Sequence, residues 1–257
     1  MRSMLFVPAH RVELIEKAQK SKADVLIYDI EDSCPGDDNK KLGKKNIGLY
    51  ANLPSFVRVN NYSDIEDVHN SVSGIVYPKA ESYHIFDKIR EEYLGLTVYA
   101  LIESAKGVLN CHEISSRVDG LIFGNEDYRA DTSCNHFDFA RNMILNASKS
   151  ARIDAIDTVH VDVHNLDDLR TECALGKSYG FDGKLCLSPK ELPIVHEYFT
   201  PTENEFNYSR RVLELHEEAK SKGEGVAIID GVYVAPPMVK YAKKVIKKYL
   251  RYVQNRR

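Results

Sequence analysis

Two short stretches of this chain end apolar runs in carboxylates: Leu101-Ile102-Glu103-Ser104-Ala105-Lys106-Gly107 and Phe123-Gly124-Asn125-Glu126-Asp127-Tyr128. A carboxylate placed where a buried run gives way to a loop is costly to desolvate unless something pairs with it. A hard cation is one natural partner, and Mg²⁺ in particular takes one or two protein carboxylates and leaves its other positions to water and substrate oxygens. Other partners are open at this point. Glu103 could pair with Lys79 or Lys106, and Asp127 could cap a helix or turn beginning at Tyr128-Arg129. His160 and His164 stand four apart, a spacing that serves metals only on a helix. The alternation of Val159-His160-Val161-Asp162-Val163 is strand-like, so the two are not read as a zinc pair.

The elements that must position such residues are short apolar runs separated by longer helical segments. The runs are Ser3–Pro8, Val25–Ile30, Phe56–Asn60, Gly74–Pro78, Thr97–Ile102, Gly120–Phe123, Ala155–Val159 and Gly183–Leu187. Between them, Val12–Ser21, Tyr83–Tyr93 and Asp138–Ala151 carry apolar residues at helical spacing. Strand–helix alternation implies a parallel sheet, and eight repeats are the number that closes a (β/α)₈ barrel. An open doubly wound sheet is the competitor, but no G-x-G-x-x-G follows the first run and the acidic residues follow several different runs. In a barrel all strand ends meet one rim. Asp29, Glu31, Asp32, Arg58, Asn60, Lys79, Glu103, Glu126, Asp127 and His160 are therefore expected to converge there.

Composition fits that reading. A chain of 257 residues is long enough for one large core, and a net charge of -3 with 43% hydrophobic residues describes an ordinary globule. Neither nucleic-acid binding nor disorder is expected. No apolar run approaches the ~20 residues of a membrane span. The N-terminus reads as a first strand, so a cytoplasmic protein is expected. Five cysteines (Cys34, Cys111, Cys134, Cys173, Cys186), scattered and without a C-x-x-C pair, point to reduced thiols and to neither a disulfide framework nor a zinc site.

Several motifs in a fixed order resemble one family. They are Arg2-Ser3-Met4-Leu5-Phe6-Val7-Pro8, Lys17-Ala18, Ala23-Asp24, Asp29-Ile30-Glu31-Asp32-Ser33, Arg58-Val59-Asn60, Pro78-Lys79-Ala80-Glu81 and Gly180-Phe181-Asp182-Gly183-Lys184. In these the chain is similar to the citrate lyase beta subunit and its relatives, including malyl- and citramalyl-CoA lyases, within the HpcH/HpaI aldolase superfamily. The resemblance implies a TIM barrel, oligomers that are often trimeric, and Mg²⁺-assisted cleavage or formation of a carbon–carbon bond next to a thioester. Carried over by position, it puts the metal carboxylates on Glu103 and Asp127 and the arginine for a substrate carboxylate on Arg58. Glu31 and Asp32 would hold metal-bound waters or orient Arg58, and Lys79, Gly124 and Asn125 would complete the substrate-binding set. Arginine suits a planar carboxylate contact. A simpler role for Arg58, neutralising Asp29 or Glu31, stays open, and a Schiff-base role for Lys79 does not suit a metal-dependent pattern.

The sequence departs from the family near its end. Many of these lyases carry G-K-M-I-D-x-P, whose aspartate serves as acid/base. Here the stretch is Gly231-Val232-Tyr233-Val234-Ala235-Pro236-Pro237, with Ala235 in the aspartate's place and Asp230 five residues away. A methyl group transfers no proton, and loss of a positioned acid/base removes roughly 10²–10⁴-fold of rate. Leu187-Ser188-Pro189 stands where many acyl-CoA lyases have I-H-P. Gly223-Glu224-Gly225 and Asp230-Gly231 are turn signals, and Lys240–Arg257 reads as a basic amphipathic helix whose charges face water or receive the phosphates of a CoA or carrier arm.

The expectation is thus an α/β protein: a (β/α)₈ TIM barrel over residues 1–201, then a helical extension over residues 202–257 that packs on the barrel or on a neighbouring subunit. The resemblance makes it a Mg²⁺-dependent lyase or aldolase and a homotrimer or other homo-oligomer. The substrate would be a small hydroxy- or oxo-dicarboxylic acid or its CoA or carrier thioester. The alternatives are a thioester hydrolase or condensing enzyme using the same metal site, and a barrel that binds a metabolite or partner without catalysis.

Overall fold

The computed structural model describes residues 1–52, 54–223, 227–229 and 231–253. Eight parallel strands close into a barrel: β1 (Ser3–Pro8), β2 (Val25–Asp29), β3 (Ser55–Arg58), β4 (Gly74–Tyr77), β5 (Thr97–Ile102), β6 (Gly120–Phe123), β7 (Asp154–Asp157) and β8 (Gly183–Cys186). Each pairs with the next, and β8 returns to β1 with Ser3 opposite Lys184 and Leu5 opposite Cys186. The helices that follow the strands are α1 (Val12–Gln19), α2 (Asp37–Tyr50), α3 (Asp64–Val68), α4 (His84–Glu92), α5 (Ala105–Ser115), α6 (Asn125–Thr132), α7 (Asp138–Ala151), α8 (Leu166–Tyr179) and α9 (Leu192–Phe199).

Alternation along each strand decides which side chains fill the barrel. Met4, Val25, Ile27, Phe56, Val76, Tyr99, Leu101, Ile122, Ile156 and Leu185 form the interior cluster. Glycines make room for its aromatic rings: a β-carbon on Gly120 would fall 2.2 Å from the Tyr99 ring. The Tyr99 ring also meets Phe56 edge-on, with centroids 5.3 Å apart. Residues of opposite parity face the helices. Among them are charged groups on the outer wall, where Asp157 pairs with Arg141 of α7 at 3.1 Å and Lys184 pairs with Glu172 of α8 at 2.8 Å.

The strand-like reading of Val159–Val163 is corrected. β7 ends at Asp157, and residues 160–165 form the loop into α8, whose N-cap Asn165 accepts a hydrogen bond from the Asp168 N–H. The asparagine supplies a helix-start signal that outweighs the two-residue alternation before it.

The chain divides into two compact units, Met1–Glu197 and Tyr198–Arg257. The second contains α10 (Glu203–Ser221), an antiparallel pair β9 (Ala227–Ile229) and β10 (Val232–Val234), and α11 (Pro236–Tyr252). Thr202 and Glu205 close a capping box at the start of α10, and two prolines open α11. Val212, Ala219, Ile229, Val234, Val239 and Ala242 make its core. The basic helix expected from Lys240 begins earlier, at Pro236, and Ala235 is its N-cap. Asp230, residues 224–225 of the expected turn and residues 254–257 lie outside the described residues.

Candidate active site at the barrel rim

Strand parity puts three charged residues and a glycine on the inner side of the C-terminal rim. Val25 and Ile27 face inward, so Asp29 does too; Arg58 follows Phe56, Glu103 follows Leu101, and Gly124 follows Ile122. Asp29 grips Arg58 side-on: Arg58 Nε donates to Oδ1 at 2.7 Å and Nη2 to Oδ2 at 2.6 Å. Arg58 Nη1 reaches Glu31 Oε2 at 3.0 Å and Asp32 Oδ2 at 3.3 Å, and the guanidinium lies 4.8 Å from the Phe6 ring centroid. Asp29 also accepts the backbone N–H groups of Glu31 and Ser33, which folds the loop after β2 around it. Burial alone would raise the Asp29 pKa, but the bonds and charge of Arg58 outweigh it and hold the carboxyl below its usual value.

Glu103 is held differently. Its side chain is buried, and Oε1 accepts the backbone N–H of Lys79 at 2.6 Å. Lys79 sits in the left-handed region, φ 49°, which sends its N–H to Glu103 and its ammonium to Glu31 Oε1 at 2.9 Å. Neither lysine considered as a partner salt-bridges Glu103: Lys79 pairs with Glu31, and Lys106 with Glu81 at 3.3 Å. Burial, then the nearby charges of Asp127 and Glu31, push the Glu103 pKa up to about 8 against the Lys79 N–H, which favours the charged form. Asp127 lies in the first turn of α6, whose N-cap is Gly124 without a side-chain cap bond, so it does not cap a turn at Tyr128.

Five carboxylates (Asp29, Glu31, Asp32, Glu103, Asp127) thus share the rim with two cationic side chains (Arg58, Lys79). A buried acid carrying excess negative charge fits a divalent cation, and an oxygen donor set of this kind suits Mg²⁺.

The remaining expected residues divide. Gly124 lies against Glu103, where a side chain would clash with the carboxylate. The Asn125 side chain is bonded to Glu126 and Thr158, and its N–H donates to Thr158 Oγ1 at 3.2 Å. Asn60 accepts from Lys40 on α2, and Glu126 pairs with Arg129 along α6. His160 is a correction: its ring faces Glu172 of α8 at 3.1 Å instead of joining the inner rim cluster. Asp29, expected at the rim and as an alternative partner of Arg58 but not counted among the site residues, is the one that grips the guanidinium on two sides. The alternation Val25, Ile27, Asp29 is the signal that points it inward.

A closed barrel with an arginine and clustered carboxylates on its C-terminal rim defines an α/β barrel suited to anionic substrates and a hard cation. The chain belongs to the HpcH/HpaI aldolase/citrate lyase family, whose model matches residues 2–189. It is 31% identical to the citrate lyase subunit beta of Escherichia coli K12 over 280 residues, covering 96% of this chain and 92% of that one. A (3S)-malyl-CoA thioesterase of Cereibacter sphaeroides is 28% identical over 268 residues, with 96% and 94% covered. Protein CitE from Mycobacterium tuberculosis, solved in complex with magnesium, acetoacetate and coenzyme A, superposes with a TM-score of 0.79 at 25% identity, covering 96% of this chain and 97% of that one.

Proposed function

We propose that the protein is a Mg²⁺-dependent carbon–carbon lyase or aldolase of the citrate lyase beta type. Its substrate is a small hydroxy- or oxo-dicarboxylic acid or the corresponding CoA or carrier thioester. The observation that carries this reading is Glu103: a buried carboxyl, bonded to one backbone N–H, with Asp127 close enough to raise its pKa. Glu103 and Asp127 would hold the cation, which when bound supplies Lewis-acid polarisation and a template for chelating a hydroxy or oxo acid.

The chain's own groups do the rest. Asp29 fixes the plane of Arg58, and Glu31 and Asp32 steady its Nη1 edge, so the guanidinium presents a preset fork to a substrate carboxylate. Lys79 turns its N–H toward Glu103 and its ammonium toward Glu31, coupling the arginine cluster to the metal carboxylate. The related CitE structure, which holds magnesium, acetoacetate and coenzyme A, supports a thioester or its acid as the ligand class. A second reading, thioester hydrolysis on the same site, is favoured by Ala235 in place of the lyases' aspartate and by the similarity to a malyl-CoA thioesterase. The homo-oligomer implied by the resemblance belongs to the same proposal.

The test is titration of metal-free protein with Mg²⁺, with and without oxaloacetate or pyruvate, on wild type, Glu103→Ala and Asp127→Ala. Oxo-acid binding that requires Mg²⁺ and both carboxylates is expected. Binding of neither metal nor acid by the wild type would overturn the assignment. Incubation with β-hydroxyacyl-CoA thioesters then separates the reactions: free CoA appears only on hydrolysis, and a shorter acyl-CoA with an oxo acid appears on cleavage.

A further inference from the structure

On the opposite side of the barrel wall from the rim cluster, three potential ligands meet. His160 at the start of the β7–α8 loop, Asp168 and Glu172 on α8 bring one donor atom each within 4.8 Å of one another. The His160 ring is buried, and its Nε2 lies 3.0 Å from the carbonyl oxygen of Asn165. A carbonyl only accepts, so Nε2 carries the hydrogen and, in the neutral ring, Nδ1 is a bare lone pair. Among the described residues no donor reaches that Nδ1, and the group facing it is another acceptor, Glu172 Oε1, 3.1 Å away.

Two acceptors facing each other, one on a buried ring and one on a half-buried carboxylate, call for something positive between them. Donors about 2.0–2.1 Å from a common zinc ion stand roughly 2.9–3.4 Å apart for angles between a right angle and the tetrahedral value, which brackets the separation of Nδ1 from Oε1. The surroundings agree. An Nε2–H donated to a backbone carbonyl is how a metal-binding histidine is usually oriented. Lys184 Nζ takes the other oxygen of Glu172 at 2.8 Å, leaving Oε1 for an ion. Asn165 organises two ligands at once, since its carbonyl faces His160 and its side chain accepts the Asp168 N–H. Asp168 and Glu172 bring two carboxylates against the one ammonium of Lys184, so the cluster offers a cation an anionic pocket.

We propose that His160, Asp168 and Glu172 bind one Zn²⁺ on the outer wall of the barrel, with water in the fourth position, fastening the β7–α8 loop to α8. The site is separate from the carboxylates of the rim. The competing arrangement is a protonated His160 that forms a salt bridge with Glu172 and binds no metal.

The experiment uses full-length protein carrying Glu103→Gln and Asp127→Asn, so that the rim carboxylates do not contribute. Zinc is measured by equilibrium dialysis, and Co²⁺ serves as the spectroscopic probe. The expected result is one Zn²⁺ per chain and, with Co²⁺, visible absorption of a four-coordinate ion. Adding Asp168→Asn, at an exposed position that leaves the fold intact, should weaken zinc about 10–100-fold, and His160→Asn should abolish it. Absence of stoichiometric zinc, or retention unchanged by Asp168→Asn and Glu172→Gln, overturns the proposal.

Discussion

Gly124 lies so close to Glu103 that a β-carbon on it would stand 2.9 Å from Cβ of Glu103 and 3.0 Å from its Oε2. The backbone at Gly124 has φ -108°, which any residue adopts, so the glycine is required by this approach and not by its own conformation. Gly124→Ala is therefore expected to fold but to displace the Glu103 carboxylate. Mg²⁺ affinity should fall about 10–100-fold, the range for disturbed metal-site geometry. Calorimetric titration reads the affinity and circular dichroism the fold.

The Glu103 proton sets a pH dependence. With its pKa at about 8 in the folded protein against the ordinary 4.5 of a glutamate, the folded state binds this proton more tightly than the unfolded one. The stability it contributes is complete below pH 4.5 and is lost as pH rises through about 8. Metal affinity runs the other way, because a cation must displace the proton. Mg²⁺ binding should strengthen up to about pH 8 and then level off, and titration in buffers of different ionisation enthalpy should show proton release below that pH. A flat profile between pH 6 and 8 would contradict the Glu103 assignment.

Asp29→Asn removes the charge that grips Arg58 on two sides. Breaking this buried pair should cost about 3 kcal/mol of stability, measured by urea unfolding. Oxo-acid affinity should fall with it, because the arginine is left to Glu31 and the more exposed Asp32. The wild-type pair also has an acid limit. The Asp29 pKa is lowered, so its contribution is present above the ordinary carboxylate range and lost as pH falls through the folded value, below 3.8.

Arg141→Ala tests the outer wall. Asp157 is completely buried, its Oδ1 accepts from Arg141 Nε, and its Oδ2 has no hydrogen-bond partner among the described residues. Removing the guanidinium strands that charge, and a loss of about 3–5 kcal/mol is expected. Arg141→Ala combined with Asp157→Ala should recover part of it, which a double-mutant cycle measures.

The barrel was legible because each of its eight strands leaves a short apolar run. The runs extended a residue or two past several ladders, at Ile30, Val59 and Pro78, because the chain is still buried or extended where it leaves the sheet. The placement of Glu103 and Asp127 at the rim was legible for the same reason, each standing shortly after a run. The pairing of Arg58 with Asp29 or Glu31 was legible only as an alternative, since the choice of Asp29 as the two-sided partner depends on two neighbouring strands sharing a register, with Asp29 opposite Arg58. The meeting of His160 with Glu172 was hidden more deeply. It depends on which face of α8 lies against the wall, and a weak two-residue alternation pointed to a longer strand instead.

The seam between β1 and β8 has a consequence for how the protein is made. Ser3 pairs with Lys184, so β1 finds its second neighbour only after about 180 further residues have been synthesised. Until then β1 has β2 on one side and a row of unpaired N–H and carbonyl groups on the other. The nascent barrel carries an adhesive edge through most of its assembly, and protection from aggregation arrives with β8.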